Sequence, residues 1–230
     1  AFESCSILDS VYISEGVTSI EDGAFQYCRK LKSVNIPGSV TSIGNNAFAQ
    51  CGLTSISIPE SVTSIGYGVF SGCPLPNGVL YINDILYDYI GIMPDSTTIV
   101  VKDGTKKIAD GAFADCRGLT SITIPESVTS IGDGAFANCS GLTSVVIPNG
   151  VQIIGDNAFY DCYYLRSISI PESVIIIGDR ALDCNYDTLY WNSINVYPEA
   201  FIVGNNYYNN KVILYGDNWI KHRGLVYAKS

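Results

Sequence analysis

Along most of the chain, apolar and polar residues follow one recurring order. Residues 116–139 read C-R-G-L-T-S-I-T-I-P-E-S-V-T-S-I-G-D-G-A-F-A-N-C, and residues 139–162 nearly repeat them. Leu119, Ile122 and Ile124 bracket polar Ser121 and Thr123. That alternation predicts a strand over Ser121–Ile124. Pro125 lacks a backbone donor and ends the ladder there. Val128 and Ile131 begin a return side. Gly132 permits a tight turn, and Asp133 sits where a short helical turn needs an N-cap. Ala135, Phe136 and Cys139 close the unit inward. A unit this short has room for strands and one turn, not for a long helix.

The period is carried by cysteine, at 5, 28, 51, 73, 116, 139, 162 and 184, with successive gaps of 23, 23, 22, 43, 23, 23 and 22. Phenylalanine keeps the same beat at Phe2, Phe25, Phe48, Phe70, Phe113, Phe136 and Phe159, with Leu182 in the eighth place. One such unit cannot bury its apolar side alone, so the repeat predicts a mainly β solenoid. Coils should stack about 4.8 Å apart, turning equal positions into ladders.

The pattern C-x-x-L-x-S-I-x-I-P-x-S-V-T-S-I-G-x-x-A-F resembles the BspA-like leucine-rich repeats, over roughly residues 1–183. The resemblance implies a leucine-rich-repeat-like right-handed coil of 22–23-residue repeats, with short turns in place of long helices. It also implies a secreted or cell-surface setting in mucosal bacteria or some protists. Members of that family are taken to bind host or neighbouring-cell proteins. The expected function is therefore a non-catalytic protein–protein interaction module with an adhesive role and an extracellular protein partner. A spacer within a larger surface protein and a glycan-binding surface are the alternatives.

A single solenoid domain over 1–230 is expected, with repeats over about 1–183 and a C-terminal cap over about 184–230. The long gap between Cys73 and Cys116 reads as an insert at about 76–97. Two β-rich runs flank Asn83-Asp84, a turn signal, so the insert predicts a β-hairpin leaving the solenoid. In the cap, Leu189–Tyr197 and Lys211–Tyr215 read as strands and Trp219–Arg223 as a helical turn. The chain opens in mid-repeat at Ala1-Phe2, which reads as a piece of a longer protein whose missing part covers the first coil.

Composition narrows the partners. Charged residues are only 15% and the net charge is −9, against a usual quarter charged. Nucleic acid is excluded as a partner because phosphate binding needs clustered Lys and Arg, and anionic membranes are disfavoured. No apolar run approaches the ~18 residues of a spanning helix. One cysteine per coil, without short pairs, excludes a zinc site. It favours free, buried thiols in a ladder, because Cβ atoms at the coil spacing are slightly too far apart for a disulfide. No cofactor is implied.

Three features could carry chemistry. Asp110, Asp133, Asp156 and Asp179 recur once per coil; two carboxylates about 5 Å apart would match a retaining glycosidase. Strict repetition favours a structural cap, with Asn45 in the same role, over catalysis or calcium binding. His222 is the sole histidine and has no nucleophile motif beside it. Arg29, Lys30 and Lys32 form a small basic cluster that reads as a solvated turn. None of these makes an enzyme.

Recognition is expected on an outward column of the first strand. Ser10, Ser33, Ser55, Thr98, Ser121, Ser144 and Ser167 form a nearly uniform column. Its neighbour varies: Tyr12, Asn35, Ser57, Val100, Thr123, Val146 and Ser169. Outward variation costs little stability and is free to encode binding. Tyr160, Tyr163 and Tyr164 replace small or polar residues of other coils and add a second candidate, since tyrosine offers large contact area at low entropic cost.

Overall fold

The computed structural model describes residues 2–184, together with the strand backbones at Ser193–Val196, Phe201–Ile202, Val212–Leu214, Trp219–His222 and Leu225–Ala228. The chain divides into two compact units, Ala1–Asn77 and Gly78–Ser230. Each is a β-solenoid, and no helix occurs among the described residues.

In the first unit, forward strands Ser10–Tyr12 and Ser33–Asn35 pair in parallel. The return strands Ser19–Ile20, Ser42–Ile43 and Ser64–Ile65 form a second parallel ladder. In the second unit, forward strand Thr97–Val100 pairs with Leu119–Thr123, and Ser144–Val146 with Ser167–Ile170. Ser193–Val196 and Val212–Leu214 extend the latter ladder. Its return sheet has seven strands: Phe201–Ile202, Ile176–Ile177, Ile153–Ile154, Ser130–Ile131, Lys107–Ile108, Ile85–Ile90 and Gly78–Ile82.

The core is a set of columns. Phe25 and Phe48 stack with centroids 5.3 Å apart and rings 1° from parallel; Phe136 and Phe159 stack at 5.0 Å and 6°. Equal residues repeated at the coil spacing have little choice but to stack this way. The cysteine column is tied to them. The thiols of Cys51, Cys139 and Cys162 each donate to the carbonyl of a Phe one coil earlier (Phe25, Phe113 and Phe136), at 3.1 Å. All eight cysteines are free. Burial pushes the Cys51, Cys116 and Cys162 thiols up to about 12, which leaves them protonated and unreactive at neutral pH.

The Gly-Asp pair has a role different from the turn and cap expected of it. In Gly132-Asp133-Gly134 and in Gly155-Asp156-Asn157 alike, the first glycine needs no unusual backbone angle; it needs space. A Cβ on Gly155 would lie 2.6 Å from the Asp133 backbone nitrogen and against its carboxylate, and Gly132 stands likewise against Asp110. That closeness lets the Asp133 carboxylate accept the Asp156 N–H at 2.8 Å, and Asp156 accept the Asp179 N–H at 2.6 Å. Asn45 does the same for the Tyr67 N–H at 2.9 Å. The column caps the next coil's backbone, not a helical turn of its own coil. The second glycine is the conformational one: Gly134 has φ 59° and Gly68 φ 64°, in the left-handed region.

Two local expectations need correction. The hairpin exists, with Gly78–Ile82 antiparallel to Ile85–Ile90 around Asn83 at φ 54°. It does not leave the solenoid. Ile85–Ile90 pairs in parallel with Lys107–Ile108, placing Leu86 beside Ile108. Ile82, Leu86, Tyr87 and Ile90 are buried. Tyr89 takes the Phe place, its N–H bonded to the Ala112 carbonyl at 2.9 Å and its ring 6.5 Å from Phe113. The long cysteine gap therefore holds a shortened coil. Its apolar residues keep the register, while Met93 stands one 23-residue period before Cys116. In the tail, Trp219–His222 is a strand antiparallel to Leu225–Ala228, not a helical turn. Its aromatic and β-branched residues favour pairing. The other two expected tail strands are present in part, as Ser193–Val196 and Val212–Leu214.

Candidate functional site

Several columns of periodic polar residues bond from coil to coil. Ser39, Ser61, Ser127 and Ser173 donate to carbonyls one coil back, at 2.7–2.9 Å. The aspartate and cysteine columns are occupied similarly.

The forward columns lie where alternation put them. Val145, Ile122 and Ile168 point inward and are buried. Tyr12, Val100 and Val146 are 76%, 72% and 69% exposed. Tyr12 and Asn35 are register partners in the first unit. In the second unit Val100 pairs with Thr123, and Val146 with Ser169. Ser57 is exposed but lies outside any strand, and Ser169 is half-buried. The columns thus form paired patches within each unit. In each pair a large exposed side chain, Tyr12, Val100 or Val146, stands beside a polar one, Asn35, Thr123 or Ser169.

The tyrosines lie on the turn around Cys162. Tyr163 and Tyr164 are exposed. Tyr160 is half-buried beneath Arg180, whose guanidinium carbon sits 4.4 Å from the ring centre. Arg180 also bonds Asp183 at 3.2 Å. Burial and the neighbouring Asp183 charge push the Asp161 carboxyl up. Tyr160 is therefore partly spent on the fold.

Sequence reasoning passed over Ile153, Ile175 and Ile176. Ile153 and Ile176 are exposed on the return strands and Ile175 just before one, where other coils carry Ser, Thr, Lys or Gln. The signal was available: Val174–Ile177 is an unbroken apolar run inside a pattern that elsewhere reads V-T-S-I. Among the described residues no group of three or more His, Cys, Asp or Glu is arranged to hold a metal ion. No described helix is long and apolar enough to cross a membrane.

The columns of Leu, Ile, Phe and Cys match a family model described as the BspA type leucine-rich repeat region, in six copies over residues 1–83 and 93–213. The chain belongs to that family. The stretch that the BspA-type model leaves out, 84–92, is the second hairpin strand and its flanks, where the repeat is most altered. No curated protein matches the sequence. Among solved structures, the chain is similar to a leucine-rich cell surface protein from Faecalibacterium prausnitzii. The two are 30% identical with a TM-score of 0.60, over 94% of this chain and 62% of that one. It shares its fold with the pneumococcal vaccine antigen PcpA, at 24% identity and a TM-score of 0.58, over 86% of this chain and 51% of that one. The chain thus spans under two thirds of the length of either relative.

Proposed function

We propose that the chain is a non-catalytic protein-interaction module of a secreted or cell-surface protein, adhering to host or neighbouring-cell proteins. Membership of the BspA-type leucine-rich repeats supports a binding role, since repeat proteins of this kind at the cell surface are typically interaction modules. The observation that carries the reading is the contrast between strand faces. Inward positions keep Val or Ile, half-buried at Val11, Val34 and Ile99 and buried at Ile122, Val145 and Ile168, while the outward neighbours change from Tyr12 to Asn35 and from Val100 to Thr123. The carboxylate column, the main alternative, is engaged in backbone bonding along the coils.

The test is surface plasmon resonance against a panel of soluble extracellular-matrix and secreted proteins, with a glycan array in parallel. The wild type is expected to bind at least one protein. Changing Tyr12, Asn35, Val100 and Val146 together to Ala should weaken that binding about tenfold or more, with the melting temperature nearly unchanged because exposed side chains contribute little to stability. Binding to glycans alone would replace this reading with a lectin-like one. Binding lost only on changing Tyr163 and Tyr164 would move the surface to the turn.

A further inference from the structure

The return sheet of the second unit has an outward column set by its pairing: Ile85, Lys107, Ser130, Ile153 and Ile176, and Ile176 pairs in turn with Phe201 on the next strand. In the first unit the same column is Ser19, Ser42 and Ser64. A solvated column favours such polar residues, and Ile153 and Ile176 depart from it. Ile175 departs in the adjoining column: its N–H bonds to the Gln152 carbonyl, as that of Gln152 bonds to Thr129. The three isoleucines are 40%, 50% and 38% exposed in chain order. Because Ile153 and Ile176 are direct register partners, they form one patch about a strand spacing across.

Charge beside the patch says what could cover it. The Lys107 ammonium lies 3.4 Å from the Asp110 carboxylate. That pair shows that a cation at this column reaches the aspartate column three residues on. The same offset relates Ile153 to Asp156 and Ile176 to Asp179. In the Ile153 coil an isoleucine stands at the place Lys107 holds in its own coil, and the carboxylate three residues on is kept. Among the described residues no cation pairs with Asp133 or Asp156. Each holds one carboxylate oxygen on the next coil's N–H, which orients the group.

We infer that this face, separate from the forward columns, docks a protein segment that combines apolar side chains with Lys or Arg. The apolar side chains would cover Ile153, Ile175 and Ile176. A cation would take, at Asp156, the place that Lys107 takes at Asp110. The chain's net charge of −9 favours the same sign of partner.

The probe is a fluorescein-labelled ten-residue peptide alternating Lys and Leu, with a Glu-Leu peptide as control. Anisotropy is read on the full chain. The Lys-Leu peptide should bind at least about tenfold more tightly than the control, and more weakly as salt rises. A triple variant, Ile153→Ser, Ile175→Thr and Ile176→Ser, installs residue types that other coils carry at these positions. It should lose about tenfold in affinity, from apolar contact area alone. Ile175→Thr by itself should lose a smaller part with its circular-dichroism melt unchanged, which guards against misfolding of the triple variant. Asp156→Asn should lose about threefold and flatten the salt dependence. Equal binding by the triple variant and wild type would overturn the inference, leaving only attraction to net charge. So would binding of neither peptide. Wild-type dimerisation abolished by the triple variant in sedimentation would assign the face to a second copy of the chain instead.

Discussion

The regular coils of the second unit and its hairpin coil close the same kind of core by different means. Ser130–Ile131 has a parallel strand on each side, a Gly-Asp pair after it, and the Phe136 and Cys139 columns beyond. Ile85–Ile90 has a parallel strand on one side only; on the other lies its own antiparallel partner, Gly78–Ile82. No Gly-Asp pair follows it, Tyr89 replaces Phe, and Met93 stands at the cysteine beat. The Tyr89 ring lies tilted at 35° to Phe113, whereas Phe113 and Phe136 are 10° from parallel. A repeating coil stabilises its neighbours by identity of position. The hairpin coil gives up that identity, and its antiparallel strand Gly78–Ile82 becomes the outermost strand of the sheet.

The contrast breaks most sharply if the hairpin is removed. Replacing residues 78–90 by a short loop takes away buried Ile82, Leu86, Tyr87 and Ile90, each large-to-small loss costing roughly 2–5 kcal/mol. Cooperative thermal unfolding, followed by circular dichroism, should be lost or strongly broadened. An intact sharp melt would mean that the coil is dispensable.

The regular coils depend instead on the Gly-Asp pair. Gly155→Ala would drive a methyl group into the Asp133 backbone and carboxylate, with an expected loss above about 3 kcal/mol in urea unfolding. Asp133→Ala leaves the Asp156 N–H without its acceptor and should cost roughly 1–3 kcal/mol. Asp133→Asn should be nearly neutral, because Asn45 already fills the role. Equal losses from Ala and Asn would show that charge, not hydrogen bonding, holds the column.

The smallest effect sharpens the difference by pH. Burial on the hairpin pushes the half-buried Asp88 carboxyl from 3.8 up to about 6. A group whose folded value is raised favours the folded state in its neutral form. Its contribution is full below about pH 4 and is lost as pH rises to about 6. Asp88→Asn stays neutral throughout. It should melt higher than the wild type at pH 7.5, and the gap should close below pH 4. A pH-independent gap would place the effect in packing rather than ionisation.

Much of this is legible in the sequence. Leu119, Ile122, Phe136 and Cys139 announce their inward places by returning every 22 or 23 residues. Asn83-Asp84 announces the hairpin turn. The docking of the hairpin was not legible, because an alternating run looks the same whether it projects or joins a ladder. The isoleucines at 153, 175 and 176 were visible as a broken pattern, yet exposure on the return face is a property of the folded coil.

By itself the sequence determined the period, the strand registers and the inward columns, because a slip of one residue would turn every apolar side chain to water. Only the tertiary structure decided what the recurring polar residues do. The bonds from Asp156 N–H to Asp133, and from the Cys162 thiol to the Phe136 carbonyl, join residues 23 and 26 apart. Such bonds exist once coils have stacked and closed. No local preference in either segment encodes them, so Asp133 could be read as a helix cap and Gly132 as a turn until the neighbouring coil was in place.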